Sequence, residues 1–275
     1  MLIVLMILLV SALIGVLYLL SLIGARKHPE LSELTAYHYA HRGLHESKLH
    51  IPENSLRAFR LAVEKGYGAE LDVHLSKDGR LVVMHDESLK RTANVDKNIC
   101  DCTAEELDGM HLEFTDEKIP YLEEVLPLFE GKTPLIIELK PFRGNHAALA
   151  RKTCAMLRQY PNLKFCMESF DPRALFWLRR NQPKIIRGQL SCNFLKDRHN
   201  LNPVAAFILT NLMTNFLTLP HFAAYQFEDR SQISLRLCKK LWGVQEFDWT
   251  IRCIEDAETA VHDGAVIIFE HCQPK

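Results

Sequence analysis

The sequence has no excess of positive charge, no CxxC cysteine pair and no glycine-rich nucleotide-binding loop. Its 33 Lys and Arg residues are balanced by 34 Asp and Glu residues, so the net charge is −1. A global basic field for nucleic acid is therefore absent, and we expect no nucleic-acid partner. No GxGxxG motif follows an apolar run, which removes the main sequence argument for a Rossmann domain. The eight cysteines are scattered, which indicates reduced thiols rather than a disulfide framework.

The first 25 residues lack charge altogether, and the first cations are Arg26 and Lys27. About 20 apolar residues suffice to cross a bilayer core. The stretch has neither the basic start nor the short apolar core of a signal peptide. We therefore favour an uncleaved transmembrane anchor, with a cleaved signal peptide as the alternative. Because the cations follow the anchor, the positive-inside rule predicts a single-pass membrane protein whose following domain is cytoplasmic.

We divide the chain into an anchor at residues 1–25, a juxtamembrane linker at 26–34 and one domain at 35–275. Within this domain, strand-like apolar runs alternate with helical patterns, which predicts a (β/α)8 TIM barrel, with an open doubly wound sheet as the alternative. An extra strand is expected near the second one, at Leu81–His85. The eight barrel-strand candidates are Ala36–Ala40, Ala69–Val73, Leu135–Leu139, Leu163–Met167, Ile185–Leu190, Phe222–Phe227, Trp242–Phe247 and Ala265–Phe269.

Ionisable side chains cluster at the ends of the apolar runs between residues 40 and 86. His41 and His85 each follow such a run, whereas Glu70 and Asp72 lie within one. Residues at i and i+2 of a strand point the same way, so these two carboxylates lie side by side. Their repulsion costs least when a divalent cation lies between them. Two histidines that exchange protons near neutral pH complete a set suited to metal-assisted acid–base chemistry.

Further polar residues mark the ends of later strands, where a barrel places its catalytic groups. Glu138 and Lys140 end the third strand, Glu168 ends the fourth, and Trp249 follows the seventh. A parallel barrel strand is buried on both faces, so carboxylates there need a cationic partner. Glu168 is either such an ion-pair partner or a catalytic group. An all-oxygen ligand set suits Ca²⁺ or Mg²⁺ better than zinc.

Several motifs resemble those of the glycerophosphodiester phosphodiesterases. They are HRG (41–43), PENS (52–55), ExDVxxS (70–76), KDGRLVVMHD (77–86) and IIELK (136–140). The resemblance implies a (β/α)8 barrel that hydrolyses a glycerophosphodiester to sn-glycerol 3-phosphate and an alcohol, using a divalent metal ion, Ca²⁺ or Mg²⁺. The nucleophile is either water or the substrate's own hydroxyl, and the resemblance favours the hydroxyl.

The same resemblance assigns roles by position. Glu70, Asp72 and Glu138 would hold the metal, and His41 and His85 would be the general acid and base. The substrate-binding residues would be Arg42 and Lys140 on the phosphate, Glu53 and Asn54 beside it, and Trp249 against the glycerol part. His74 is expected to be a bystander. The alternatives are an enzyme like phosphatidylinositol phospholipase C, a lysophospholipase D-like enzyme acting on membrane lipids, and a tethered binder of phosphodiesters without turnover.

The segment Leu201–Pro220 is almost uncharged and has no clear counterpart in the family. It is either a buried barrel helix or an interfacial segment lying against the membrane. Burial of more than half of Leu212 and Phe216 against the barrel would argue against the interfacial hypothesis.

Overall fold

Parallel strands close into a barrel in this computed structural model, which describes residues 1–113, 115–198 and 201–275. The strands are β1 (Tyr39–Ala40), β2 (Gly68–Leu75), β3 (Leu81–Val83), β4 (Leu135–Leu139), β5 (Phe165–Ser169), β6 (Arg187–Ser191), β7 (Phe222–Gln226), β8 (Gln245–Ile251) and β9 (Val266–Phe269). Eight of these strands within the described ranges are parallel, and β1 closes the barrel by pairing with both β2 and β9. The antiparallel β3 extends β2. The predicted TIM barrel and its extra strand are confirmed.

Helices α1 and α2 precede the first strand, and most of the others pack around the barrel between one strand and the next. They are α1 (Leu2–Ser21), α2 (Leu31–Leu34), α3 (Leu56–Glu64), α4 (Lys90–Ala93), α5 (Ala104–Asp108), α6 (Leu122–Phe129), α7 (His146–Leu157), α8 (Pro172–Asn181), α9 (Pro203–Thr210), α10 (Asn215–Thr218), α11 (Ile233–Trp242) and α12 (Ile254–His262).

Local sequence signals fix several boundaries. The hydroxyl of Ser55 accepts a hydrogen bond from the Ala58 amide at 3.1 Å and so begins α3. The seventh barrel strand was expected at Trp242–Phe247, but Trp242 is the last residue of α11. Gly243 ends that helix at φ +66°, a left-handed conformation that glycine adopts easily. The strand therefore starts at Gln245, and Trp249 lies inside it rather than after it.

The barrel interior is apolar at one end and polar at the other. Tyr39, Phe222 and Phe247 fill the end where the strands begin, and the rings of Phe222 and Phe247 stack at 4.2 Å. Leu31 and Leu34 of α2 pack into the same cluster. Inward positions recur every second residue, so the next inward layer lies nearer the carboxyl ends of the strands. That layer carries the ionisable groups.

The N-terminal helix α1 is apolar and exposed along almost its whole length. It is long and apolar enough to cross a membrane, although a signal sequence at the N-terminus has the same properties. The segment after β6 packs mostly as α9 and α10 of the barrel. Leu212 is fully buried, and Phe216 exposes 47% of its surface. Both residues meet the burial criterion, which supports the barrel-helix prediction for the second half of the segment, whereas Val204 and Phe207 of α9 remain exposed.

Candidate active site

Four carboxylates lie together in the polar layer of the barrel. Asp72 on β2 pairs in register with Glu138 on β4, which pairs with Glu168 on β5. Neighbouring strands are about 4.8 Å apart, so side chains in register on one face are adjacent. Glu70 lies two residues before Asp72 on the same face. One ligand oxygen each from Glu70, Asp72 and Glu138 falls within 4.8 Å of the others.

Burial and mutual repulsion make it unfavourable for all four carboxylates to be ionised at once. Burial raises the pKa of Glu70 and of Glu168 well above the usual range, and neighbouring carboxylates add to the effect. Burial also raises the pKa of Glu138 to about 7. It would do the same for Asp72, but nearby positive side chains, above all Lys140, hold the pKa of Asp72 well below its usual range. Such a cluster favours an additional cation.

The donor set fits a hard divalent cation. Two buried oxygens of this site accept no hydrogen bond from the described residues: Asn54 Oδ1 and Glu168 Oε2. Buried polar atoms usually have a partner, so unpartnered oxygens beside a carboxylate trio are the arrangement expected of a Ca²⁺ or Mg²⁺ site. The family predicted from the motifs is generally dependent on a divalent metal.

Cationic and amide groups surround the carboxylates. Lys140 Nζ lies 3.3 Å from Asp72 Oδ1 and 3.3 Å from Glu138 Oε1. The Asn54 side-chain amide donates to Asp72 Oδ2 at 2.9 Å. The guanidinium of Arg42 donates to Glu53 Oε1 at 3.1 Å. The structure thus brings the phosphate-binding candidates of the sequence to the carboxylate cluster.

The HRG and PENS loops are held against each other by their backbones. The Asn54 amide donates to the Arg42 carbonyl at 2.9 Å, and the Arg42 amide donates to Glu70 Oε2 at 3.0 Å. Gly43 has φ +77°, and a Cβ there would lie 2.9 Å from Ala58. The glycine of HRG therefore permits a left-handed turn and a close approach to α3 at once.

Each candidate acid–base histidine is held by a carboxylate. His41 Nδ1 donates to Glu270 Oε2 at 2.8 Å, and burial lowers the pKa of His41 to about 4. The other ring nitrogen, Nε2, lies 4.0 Å from Glu70 Oε2. His85 Nδ1 donates to Asp86 Oδ1 at 2.6 Å. Since a carboxylate can only accept, Nδ1 of each ring carries a proton and Nε2 is left for other partners.

A cavity of about 200 Å³ unites these groups at the carboxyl ends of the strands. His41, Arg42, Glu70, His85 and Glu138 form its polar side. An apolar wall opposite is formed by Phe170, Leu190 and Trp249. The remaining residues predicted to bind metal or substrate do not line the cavity but lie next to the side chains that do. They are Glu53, Asn54, Asp72 and Lys140.

Sequence reasoning missed two charged residues of the site: one binds His41, and the other binds the carboxylate that holds His85. Glu270 follows β9, two residues after the inward-facing Ile268, and this alternation could have identified it. Arg91 in the short helix α4 donates to Glu53 Oε1 at 2.6 Å and to Asp86 Oδ2 at 2.6 Å. No periodic pattern marks that helix.

Two weaker candidates also have defined positions. His74 contacts Glu87 at 2.9 Å and the His85 carbonyl at 3.1 Å, away from the cavity lining, as expected of a bystander. Glu168 lines the cavity.

The fold and the cavity define a (β/α)8-barrel enzyme with a cavity lined by histidines and carboxylates at the carboxyl ends of its strands. The family model of the glycerophosphoryl diester phosphodiesterases matches residues 41–232. A glycerophosphodiester phosphodiesterase of Caldanaerobacter subterraneus subsp. tengcongensis is 32% identical over 235 residues, which cover 82% of this chain and 89% of that protein. The chain belongs to the glycerophosphoryl diester phosphodiesterase family.

Two further comparisons bear on the site. A phosphodiesterase of Oleispira antarctica, solved in complex with the product sn-glycerol-3-phosphate, superposes with a TM-score of 0.68 at 26% identity, covering 85% of this chain and 92% of that one. A human lysophospholipase D is 35% identical over 136 residues, which cover 45% of this chain and 41% of that protein.

Proposed function

We propose that this phosphodiesterase hydrolyses glycerophosphodiesters to sn-glycerol 3-phosphate and an alcohol, by two-histidine acid–base catalysis with a divalent metal ion. One observation carries the proposal: Glu70 and Glu138 line one cavity with His41 and His85, and Asp72 lies within 4.8 Å of both carboxylates. Two proton-transfer groups are not needed for binding alone, so the arrangement favours turnover over the alternative of a phosphodiester binder.

The carboxylate trio Glu70, Asp72 and Glu138 would hold Ca²⁺ or Mg²⁺, because all three offer oxygen ligands. When bound, the ion supplies positive charge that stabilises the oxygens of the phosphodiester as they gain charge. Arg42 and Lys140 bring further positive charge to the same place. Arg42 is fixed by Glu53, so it presents its guanidinium to the phosphate without reorganising.

His41 acts as general base in this proposal. Burial keeps its ring neutral, and Glu270 holds the proton on Nδ1, so Nε2 accepts the proton of the nucleophile. His85, oriented by Asp86, donates a proton from Nε2 to the leaving oxygen. Each well-placed proton transfer contributes about 10²–10⁴-fold in rate. The nucleophile is the substrate's neighbouring hydroxyl or water.

The apolar wall favours a second candidate, a lysophospholipase D-like reaction at the same site. Trp249 would pack against the glycerol part, and Phe170 and Leu190 offer surface that a small polar alcohol does not need. For location, we propose that residues 1–25 remain as a single-pass anchor whose last turn packs on the barrel. Residues 26–34 then connect the anchor to the domain at 35–275, with Leu31 and Leu34 packed into that domain, and the domain is cytoplasmic.

A hydrolysis panel tests the proposal on full-length protein in detergent. Glycerophosphocholine, -ethanolamine, -inositol, lysophosphatidylcholine and phosphatidylinositol are offered with Ca²⁺, with Mg²⁺ or with EDTA. Release of sn-glycerol 3-phosphate that EDTA abolishes is the expected result. Lysophosphatidate from the lysolipid would identify the second candidate, and diacylglycerol from phosphatidylinositol would identify the phospholipase C alternative.

Two alanine variants test the mechanism. His41→Ala and His85→Ala should each reduce kcat by at least about 10²-fold without a change in melting temperature. His111→Ala, at an exposed histidine outside the cavity, is the matched control. Turnover close to wild type in either cavity variant would contradict the assigned roles.

A further inference from the structure

The chain leaves the N-terminal helix along the outside of the barrel, and its contacts there give a direction. Helix α11 starts at the carboxyl end of β7, the catalytic end, and runs back toward the opposite end. The Tyr18 side chain hydrogen-bonds with Ser234 in the first turn of α11 and also lies near Cys238, one turn later. Four residues later, the Leu22 carbonyl accepts a hydrogen bond from Cys238 Sγ, in the middle of α11, at 3.5 Å. The chain from residue 18 to residue 22 therefore descends from the catalytic end.

The next contacts continue the same descent. The Ala25 amide donates to the Pro220 carbonyl at 2.8 Å, two residues before β7 begins. The ring of His28 lies 5.4 Å from that of His221, at the end of the barrel where the strands begin. Because residues 18–28 run along the barrel away from the catalytic end, α1 before Tyr18 projects beyond that end, and only this part of the proposed anchor is free to enter a bilayer. Sixteen residues from Tyr18 back to Leu2 span about 24 Å, which approaches the thickness of a bilayer core.

An exposed apolar surface lies on the catalytic end of the barrel, from which α1 projects. We call it the rim patch; it consists of Leu195, Val204 and Phe207, which expose 52%, 67% and 50% of their surfaces. The patch follows β6 in the chain. The Ser191 hydroxyl, at the end of β6, donates to the Leu209 carbonyl of α9 at 2.8 Å, which fixes the helix to the rim.

The apolar wall of the active site extends to the helix that carries two residues of the rim patch. The ring of Phe170 lies 5.6 Å from that of Trp249 and 6.0 Å from that of Phe194. Phe194 packs in one cluster with Ala206 and Leu209 of α9. Apolar side chains thus run from the reaction cavity to α9, the helix that carries Val204 and Phe207.

We propose that the catalytic mouth faces the bilayer, with the rim patch in contact with the lipid leaflet that α1 enters. The inference rests on the proposed function and on retention of α1. A bilayer is the occupant because the apolar helix and the rim patch project from the same end of the barrel, so a membrane crossed by α1 meets the patch. The connected wall then receives the hydrocarbon part of a lipid phosphodiester drawn from that leaflet.

Fluorescence quenching by lipids tests the orientation independently of catalysis. Phe207→Trp is reconstituted, as the full chain, in phosphatidylcholine vesicles with brominated acyl chains. Val261→Trp is the matched control, because Val261 is equally exposed near the end of α12, at the opposite end of the barrel. Brominated lipid should quench most of the tryptophan fluorescence that Phe207→Trp adds and little of the fluorescence that Val261→Trp adds. Quenching of the control alone, or of neither, would overturn the proposal, as would loss of α1 from the mature chain.

Hydrolysis separates this proposal from the proposed function. Phe207→Ser should lower the rate on lysophosphatidylcholine in vesicles about three- to tenfold, since it removes apolar surface from the leaflet contact, and leave the rate on soluble glycerophosphocholine unchanged. Equal effects on both substrates would contradict a lipid contact. Quenching at position 207 in a protein that hydrolyses neither substrate would keep the orientation and reject the function. Hydrolysis of the substrates without quenching at position 207 would keep the proposed function and reject the orientation.

Discussion

The Nδ1 atom of His41 lies 2.8 Å from Oε2 of Glu270, although 229 positions separate the two residues in the chain. The pairing follows from closure of the barrel. Ala40 of β1 is in register with Phe269 of β9, so the residues that follow them are neighbours. The His41 amide also donates to the Phe269 carbonyl at 2.8 Å. The first and last strands together therefore orient this imidazole.

We expect Glu270→Gln to impair turnover far more than substrate binding. The amide has the same shape, but it does not hold a proton on Nδ1 as a carboxylate does, so the ring loses its fixed tautomer. A fall in kcat of about 10²-fold with little change in KM is the expected result, measured by steady-state release of sn-glycerol 3-phosphate.

Glu228→Gln is the control for this change. Glu228 is an exposed carboxylate 3.8 Å from Arg252, which also binds Glu270. Glu228→Gln is also a change from glutamate to glutamine next to Arg252, but Glu228 does not contact His41. Equal losses in the two variants would show that Glu270 does not act through the histidine.

The carboxylates of the site could be predicted because a strand repeats every second residue. Glu70 and Asp72 share a face, and a barrel places Glu138 beside them. The same alternation applied to Ile268 leads to Glu270, which the sequence analysis missed. Arg91 was not predictable in this way, because it reaches the site from a four-residue helix whose position depends on the surrounding loops. The contact of α1 with the barrel could not be predicted from the sequence either, because only the last turn of this uniformly apolar helix packs there.

Arg91→Lys should lower kcat about tenfold with little effect on stability. Arg91 binds Glu53 and Asp86 at once, and Asp86 orients His85. A lysine retains the charge but not the planar fork that spans two carboxylates. Because the Arg91 side chain is nearly half exposed, its ion pairs contribute little to folding. Kinetics and thermal melts of the same preparation measure the two effects separately.

The Arg91 prediction has its own control in Lys97, which forms an exposed pair with Glu106 away from the cavity. Lys97→Met should leave kcat unchanged. A similar loss of turnover in both variants, or a melting temperature that falls in proportion to kcat for Arg91→Lys, would point to a general structural effect.

Divalent cations should stabilise the wild-type protein against heat, and Glu70→Gln should abolish that effect. An ion at about 100 times its Kd contributes about 2.7 kcal/mol, which is about 5–10 °C for a domain of this size. Without an ion, Glu70→Gln should melt at a higher temperature than the wild type, because it removes one of several buried, mutually repelling carboxylates. Calorimetry with Mg²⁺, Ca²⁺ or EDTA measures both shifts.

Asp96→Asn, at an exposed site, serves as the control for the metal effect. It should retain the full rise in melting temperature on addition of the ion. An undiminished rise in Glu70→Gln would remove this carboxylate from the ligand set.

His221, at the end of the barrel opposite the cavity, should make the fold sensitive to acid. Burial, together with the nearby Arg187 and His28, lowers the pKa of His221 to about 4. Its Nδ1 accepts a hydrogen bond from the Arg187 amide at 3.2 Å, which requires a neutral ring. In the unfolded chain the pKa is about 6.5, so the unfolded state binds more protons between the two values. This stabilisation is therefore complete above pH 6.5 and is lost as the pH falls toward 4.

The loss amounts to about 1–3 kcal/mol, after allowance for partial solvent screening of the ring. His221→Asn keeps an acceptor for the Arg187 amide but does not titrate, so its melting temperature should change less between pH 6.5 and 5 than that of the wild type. His262→Asn, at an exposed position, should retain the wild-type slope. Carboxylates titrate in all three proteins, which is why the difference between slopes, and not any single slope, measures the contribution of His221. Parallel slopes for the wild type and His221→Asn would show that this ring is protonated without cost in the folded state.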